Sequence, residues 1–279
     1  MTSTAESKRA FVLGGGGIQG AAEVGMLLAL AEADLRPDLI LGTSIGAING
    51  ALFAADPTRD GAGRLERFWR ELGSESVFGS GLLEQVRTLA RGRTHLHGNE
   101  RLRRTLTAAL PARFSELEVR FECVAASIER SAAHWFSEGP LIESLLASSA
   151  VPGLLPAVEI EGEHYLDGGL VHSIPVGRAV ELGAQEIYVL HVGRVDSPLA
   201  APRNPLQVGL VAFEISRRHR FIGEMERLPE GIEVRVLPTG SEGPRFNDSS
   251  QLRYWDVAAV GDRIEAAREA TSALLEDLA

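Results

Sequence analysis

"VLGGGGIQGAAEVG", residues 12–25, decides how the chain is read. Four consecutive glycines are costly in conformational entropy, because glycine loses more freedom on folding than any other residue. Such a run marks a place where bare backbone must come close to something. Upstream, "RAFVLG" (9–14) reads as a strand, and downstream Val24, Leu27, Leu28, Ala31 and Leu35 fall on one face of a helix that Pro37 closes. The pattern then repeats. "DLILG" (38–42) is a short apolar strand, followed by Ile45, Ile48 and Leu52 at helical spacing. Strand, helix, strand, helix implies a buried, mainly parallel sheet covered on both faces, an α/β fold.

The remaining chain fits one domain over 1–279. Residues 61–110 read as helices with charged faces, broken by the loop "GSESVFGSG" (73–81), and are expected to form a cap over the sheet. Strands resume at 118–127, 134–137, 158–169 and 186–193. The Pro-rich piece "SPLAAPRNP" (197–205) reads as a loop before a long helix carrying Leu206, Leu210, Phe213 and Phe221, and "IEVRVLP" (232–238) and a C-terminal helix finish the chain. With 279 residues, 44% hydrophobic and 24% charged, the composition is that of a globular protein with a substantial core. The net charge of −10 opposes the counterion-releasing contact that dominates nucleic-acid affinity, so no nucleic-acid partner is expected. Cys123 is the only cysteine and sits in the apolar "FECVAAS", which excludes an intrachain disulfide and suggests a buried, inert thiol. The N-terminal apolar run is too short for a secretory signal and no stretch is long enough to span a bilayer, so a cytoplasmic location is expected.

Residues 15–20, Gly15-Gly16-Gly17-Ile18-Gln19-Gly20, satisfy G-x-G-x-x-G. A dinucleotide site would also need an acidic residue ending the second strand, but that strand ends in Leu41 and Gly42. A P-loop would need a lysine and a hydroxyl residue where Ala21 and Ala22 stand. What the second strand does end in is "GTSIG" (42–46), a G-x-S-x-G in which Ser44 would occupy a sharp strand-to-helix turn, with Gly42 and Gly46 letting neighbouring backbone pass. Taken alone, Ser44 could equally be the N-cap of the following helix. In a parallel sheet, however, both glycine-bearing turns share one edge, and the amides of Gly15, Gly16 and Gly17 can face the oxygen of a carbonyl attacked by Ser44. None of the seven histidines stands in a context that marks it as the base. His191, at a strand end, is the best placed but reads as structural, and His95 and His97 lack neighbouring ligands for a metal. Asp167, in "YLDGGL", is a turn former if it stands alone. Shielded from water beside a serine hydroxyl, it could serve as a general base.

"GGGGIQG", "GTSIG" and "LDGG" in this order, with "ASSAVPGLLP" (147–156) before the last, resemble the patatin-like phospholipase family over about residues 9–175. The resemblance implies a three-layer αβα sandwich, a Ser-Asp dyad without histidine, and hydrolysis of acyl esters of lipids. It makes Ser44 the nucleophile and Asp167 the base, places the amides of Gly15, Gly16 and Gly17 in an oxyanion hole with Gly20 as the final glycine of that motif, and implies no metal or organic cofactor. Two positions depart from the family pattern. Gln19 stands where Arg or Lys is usual, and Ser173 stands where Asn is usual, ahead of Pro175. The implied partner is a lipid or other ester substrate. Transient membrane contact through Arg217, Arg218 and Arg220 with Arg101, Arg103 and Arg104 is weighed against solvated helix faces paired with glutamates. Phe68, Trp69 and Phe78 are read as an acyl-chain surface or as core. Gln19 motivates one alternative, a non-catalytic lipid-binding protein on the same fold. A short-chain carboxylesterase or thioesterase is another.

Overall fold

The computed structural model describes residues 8–74, 98–192, 198–203, 205–240 and 258–278. Its centre is an eight-stranded sheet. β1 (Arg9–Leu13) lies between β2 (Leu39–Thr43) and a later strand, β7 (Glu186–Leu190), and pairs in parallel with both. β3 (Arg120–Ser127) continues the parallel order beyond β2, and β8 (Glu233–Val236) continues it beyond β7. Two strands run the other way. β4 (Ala132–Phe136) and β6 (Glu163–Asp167) are antiparallel to β3, and β5 (Val158–Ile160) forms a hairpin with β6. That hairpin turns through Glu161 and Gly162, both at positive φ (53° and 84°), as a two-residue turn matching strand twist requires. "VEIEGEHYLDGG" is therefore two strands.

Alternation along the strands divides the core in two. Ala10, Val12, Leu39, Leu41, Ile187 and Val189 face one side, where α6 (Val176–Glu181) and α7 (Pro205–Met225) cover them through Val176, Ala179 and Phe221. Phe11, Leu13, Ile40, Phe121 and Cys123 face the other. There the cover is α1 (Ala21–Glu32), α2 (Ile45–Ala54), α3 (Arg59–Ser74), α4 (Glu100–Ala109), α5 (Leu141–Ser148) and α8 (Ala258–Leu278). Helices on both faces of a mainly parallel sheet make the αβα sandwich. Cys123 is buried and unpaired, and burial pushes its thiol well up. Within the region expected to cap the sheet, α3 joins the helical layer against α1 and α2, and α4 packs beside α5. The middle of that region, including Phe78, His95 and His97, lies outside the described residues.

One arrangement in the sheet prepares the site. β4 takes one edge of β3 along residues 123–127. On the opposite edge β2 pairs with residues 120–124, and where β2 leaves, β6 arrives from the other direction to pair with 125–127. Thr43 stands opposite Val124, and Asp167 opposite Ala125. The ends of two strands therefore meet at consecutive positions of a third.

α1 is buried nearly all round because it is held between the sheet and α8. Their backbones approach so closely at Gly25 that a Cβ there would lie 2.0 Å from the Ile264 carbonyl oxygen. Gly25→Ala is expected to lower unfolding stability by about 1–3 kcal/mol by forcing the helices apart, read as a fall in the urea midpoint.

Candidate active site

Ser44 sits between β2 and α2 with φ 56° and ψ −123°, a conformation a non-glycine residue adopts only under strain. Backbone crowding at this elbow explains its glycines. A Cβ on Gly42 would lie 2.4 Å from the Ala47 Cα, and one on Gly46 would lie 2.6 Å from the Gly14 carbonyl oxygen. The Ser44 hydroxyl makes no capping bond to α2. It donates instead to Asp167 Oδ2 at 2.6 Å. Of the two placements open to Ser44, the structure shows the sharp strand-to-helix turn, with the buried hydroxyl bonded to a carboxylate and not to α2.

The segment "ASSAVP", at the end of α5, braces this turn. Ser148 Oγ accepts the Ser44 N–H at 3.0 Å, Ser149 Oγ donates to the Ser44 carbonyl at 3.2 Å, and the Ala150 carbonyl accepts the Asp167 N–H at 3.0 Å. The Thr43 hydroxyl donates to the His172 carbonyl at 2.7 Å. Ser44 and Asp167 are therefore both anchored through their own main chain by one short stretch. The sequence reading recognises this stretch as a motif but assigns its residues no role.

Asp167 is 2% exposed. Its Oδ1 accepts the Gly169 N–H at 2.7 Å and its Oδ2 the Ser44 hydroxyl. Burial pushes its pKa from 3.8 up to about 6, against the opposing pull of the Ser44 hydroxyl, the Gly169 N–H and the positive charge of Arg217. Desolvation gives a carboxylate basicity near that of an imidazole. His191, the best placed histidine by sequence, is buried with its ring against Phe221, and the Ser44 proton is directed to Asp167.

The glycine turn lies directly against Ser44, with the Gly15 Cβ position 3.4 Å from the Ser44 Cβ. Its amides divide into two groups. The Gly14 N–H donates to the Leu190 carbonyl at 3.0 Å and the Gly15 N–H to the Ser173 carbonyl at 3.1 Å. The Gly15 amide, expected to face an oxyanion, is thus engaged by the chain just before α6. The N–H groups of Gly16 and Gly17 have no acceptor among the described residues, and Gly16 is exposed. Gly20 ends the short 3-10 turn that begins at Gly17, and its carbonyl accepts from Asn49 Nδ2 at 3.0 Å. Asn49 also donates to Glu23 at 2.7 Å and accepts the Trp69 indole N–H at 2.8 Å. Trp69 therefore belongs to a buried network beneath the turn, and Phe68 packs at the core margin.

The arginines weighed as a membrane-contact surface or as solvated faces paired with glutamates divide in the structure. Arg217 is only 7% exposed and points inward, with Nη1 donating to the Gly15 carbonyl at 2.7 Å. Arg218 is ion-paired with Glu214 at 2.8 Å, while Arg220 remains exposed. Arg103 likewise pairs with Glu143. Among the described residues no group of three or more His, Cys, Asp or Glu could hold a metal, and no helix is long and apolar enough to cross a membrane.

Comparison with known proteins gives a consistent result. A family model described as patatin-like phospholipase matches residues 11–180. Lysophospholipase nte1 of Aspergillus terreus is 34% identical over 186 residues, covering 66% of this chain and 12% of that protein. Lysophospholipase NTE1 of Mycosarcoma maydis is 30% identical over 186 residues, covering 66% and 10%. The chain thus spans a small part of the length of the curated relatives it matches. In structure it is similar to VipD from Legionella pneumophila (TM-score 0.50, 13% identity, 98% of this chain and 67% of that one). It is also similar to human GIVD cytosolic phospholipase A2 in complex with methyl gamma-linolenyl fluorophosphonate (TM-score 0.51, 13% identity, 98% and 58%). At these identities the likeness is one of fold, a central sheet between layers of helices.

Burial of Asp167 leaves a signature in stability. Between pH 3.8 and about 6 the folded protein holds a proton that the unfolded chain has released, so stability falls as pH rises through that window. Asp167→Asn removes this cost. The variant is expected to exceed the wild type in unfolding stability at pH 7.5 by about 1–3 kcal/mol, with the advantage gone below pH 4, as measured by chemical denaturation at both values.

Proposed function

The chain belongs to the patatin-like phospholipase family, and from that premise we propose that it is a serine acyl hydrolase cleaving acyl esters of lipids through Ser44 and Asp167. The observation that carries the proposal is the 2.6 Å hydrogen bond from the Ser44 hydroxyl to a carboxylate buried away from water. Asp167 takes the Ser44 proton as Oγ attacks the ester carbonyl carbon. The tetrahedral oxyanion is received by the free amides of Gly16 and Gly17, which directly follow Gly15 in the turn packed against Ser44 and cost no reorganisation at that moment. Collapse breaks the bond to the leaving alcohol, which departs with the proton returned by Asp167. Water then attacks the acyl-serine with Asp167 again as base, releasing the fatty acid and restoring the Ser44 hydroxyl.

A lone aspartate serves here because burial has moved its pKa to about 6, near enough to neutrality to accept a proton in the transition state while remaining ionised at rest. The relatives named lysophospholipases support a glycerophospholipid with one acyl chain as the substrate class.

A fluorophosphonate probe is expected to label Ser44 in the folded protein, located by mass spectrometry, and to leave Ser44→Ala and heat-denatured protein unlabelled. Ester hydrolysis by Ser44→Ala is expected to fall at least about 10³-fold; a variant retaining the wild-type rate refutes the assignment. Because Asp167 must be ionised to accept the proton, kcat/KM is expected to rise with pH to a plateau with its midpoint near 6. A profile flat from pH 5 to 8 in protein that stays folded contradicts the role of the carboxylate.

A further inference from the structure

Arg217 projects from α7 into the region behind the glycine turn, and its three nitrogens are divided between two tasks. Nε and Nη2 form a two-pronged pair with Glu214, at 2.9 and 3.1 Å. Nη1 is left to reach the Gly15 carbonyl at 2.7 Å, and it also lies 3.3 Å from Ser173 Oγ. Gly15 is thereby gripped twice, its N–H by the Ser173 carbonyl and its C=O by Arg217.

The second grip reaches beyond Gly15. The Gly15 carbonyl and the Gly16 N–H belong to one planar trans peptide unit and point in opposite directions. Holding the oxygen toward Arg217 therefore aims the Gly16 N–H away from it. In a run of glycines such a peptide unit rotates easily unless something fixes it. A charged donor on the carbonyl also polarises the amide and makes its N–H a stronger donor in turn. Gln19, within the turn itself, is neutral, so the cation at this turn comes from a helix lying outside the residues matched by the family model.

We propose that Arg217 is a positioning residue that orients and polarises the Gly15–Gly16 peptide, so that the Gly16 amide is preset to receive the oxyanion formed at Ser44. The inference rests on the acyl-hydrolase reading above. It assigns to α7 a part in the reaction that the Ser44 and Asp167 motifs do not supply.

The test compares Arg217→Met and Arg217→Lys in crystal structures and in steady-state hydrolysis of p-nitrophenyl butyrate. Arg218, which contacts Glu214 at 2.8 Å, is left to partner that carboxylate after either change, and Glu214→Leu/Arg217→Met serves where a single variant fails to fold. In the methionine variant kcat is expected to fall about 100-fold with KM within threefold, and the Gly15 carbonyl is expected to turn from its wild-type direction. Lysine, whose ammonium can still reach that oxygen, is expected to restore at least tenfold of the lost kcat. A methionine variant, single or double, with kcat within threefold of wild type overturns the proposal, as does an unchanged Gly15–Gly16 peptide in its crystal structure. Failure of the acyl-hydrolase reading shows itself differently, as wild-type protein without Ser44-dependent turnover. The direction of the peptide then still decides whether Arg217 orients it.

Discussion

A carboxylate withdrawn from water with, among the described residues, only a serine hydroxyl and one backbone N–H bonded to it is the constraint around which this structure is organised. Left to itself a buried carboxylate would take up a proton, and left in solvent it would be too weak a base to matter. Asp167 is held between these limits. β3 supplies the platform, since the strand bearing Ser44 and the strand bearing Asp167 end at neighbouring positions along the same edge. The end of α5 then fixes both main chains, and the remote charge of Arg217 tempers the cost of burial.

Features enforced by local chemistry were legible in the sequence. The alternation of strands and helices around the glycine turn follows from apolar spacing. Gly42 and Gly46 announce a crowded elbow whatever surrounds it, and Asp167 before two glycines announces a tight turn. Features that depend on which distant segment arrives were hidden. The Gly15 amide looks as free as those of Gly16 and Gly17 until Ser173 is brought beside it. Arg217, three residues after Glu214, has the spacing of an ordinary surface ion pair, and only the packing of α7 against the sheet turns it inward. α5 was missed for a different reason. Leu141, Ile142, Leu145 and Leu146 do carry helical spacing, but the helix has only eight residues, too few for the pattern to stand out beside the motif that follows it.

The two faces of the sandwich contribute unequally. Helices on one face provide most of the core and receive the elbow, whereas the other face, built from α6 and α7, contributes through Ser173 and Arg217 the groups that hold the glycine turn from behind. The Ser44–Asp167 geometry is thus clamped across the sheet, with the serine set from one side and its electrostatic surroundings from the other.

The meeting of β2 and β6 also makes the site a sensor of partial opening. Ser44 and Asp167 are 123 residues apart in sequence, and β6 is joined to β3 through only three residue pairs, 125–127 with 165–167. Peeling the β5–β6 hairpin from that edge would separate Asp167 from Ser44 while the five parallel strands stayed paired. Heat or denaturant could then part the Ser44–Asp167 pair in a local step that leaves most of the secondary structure standing.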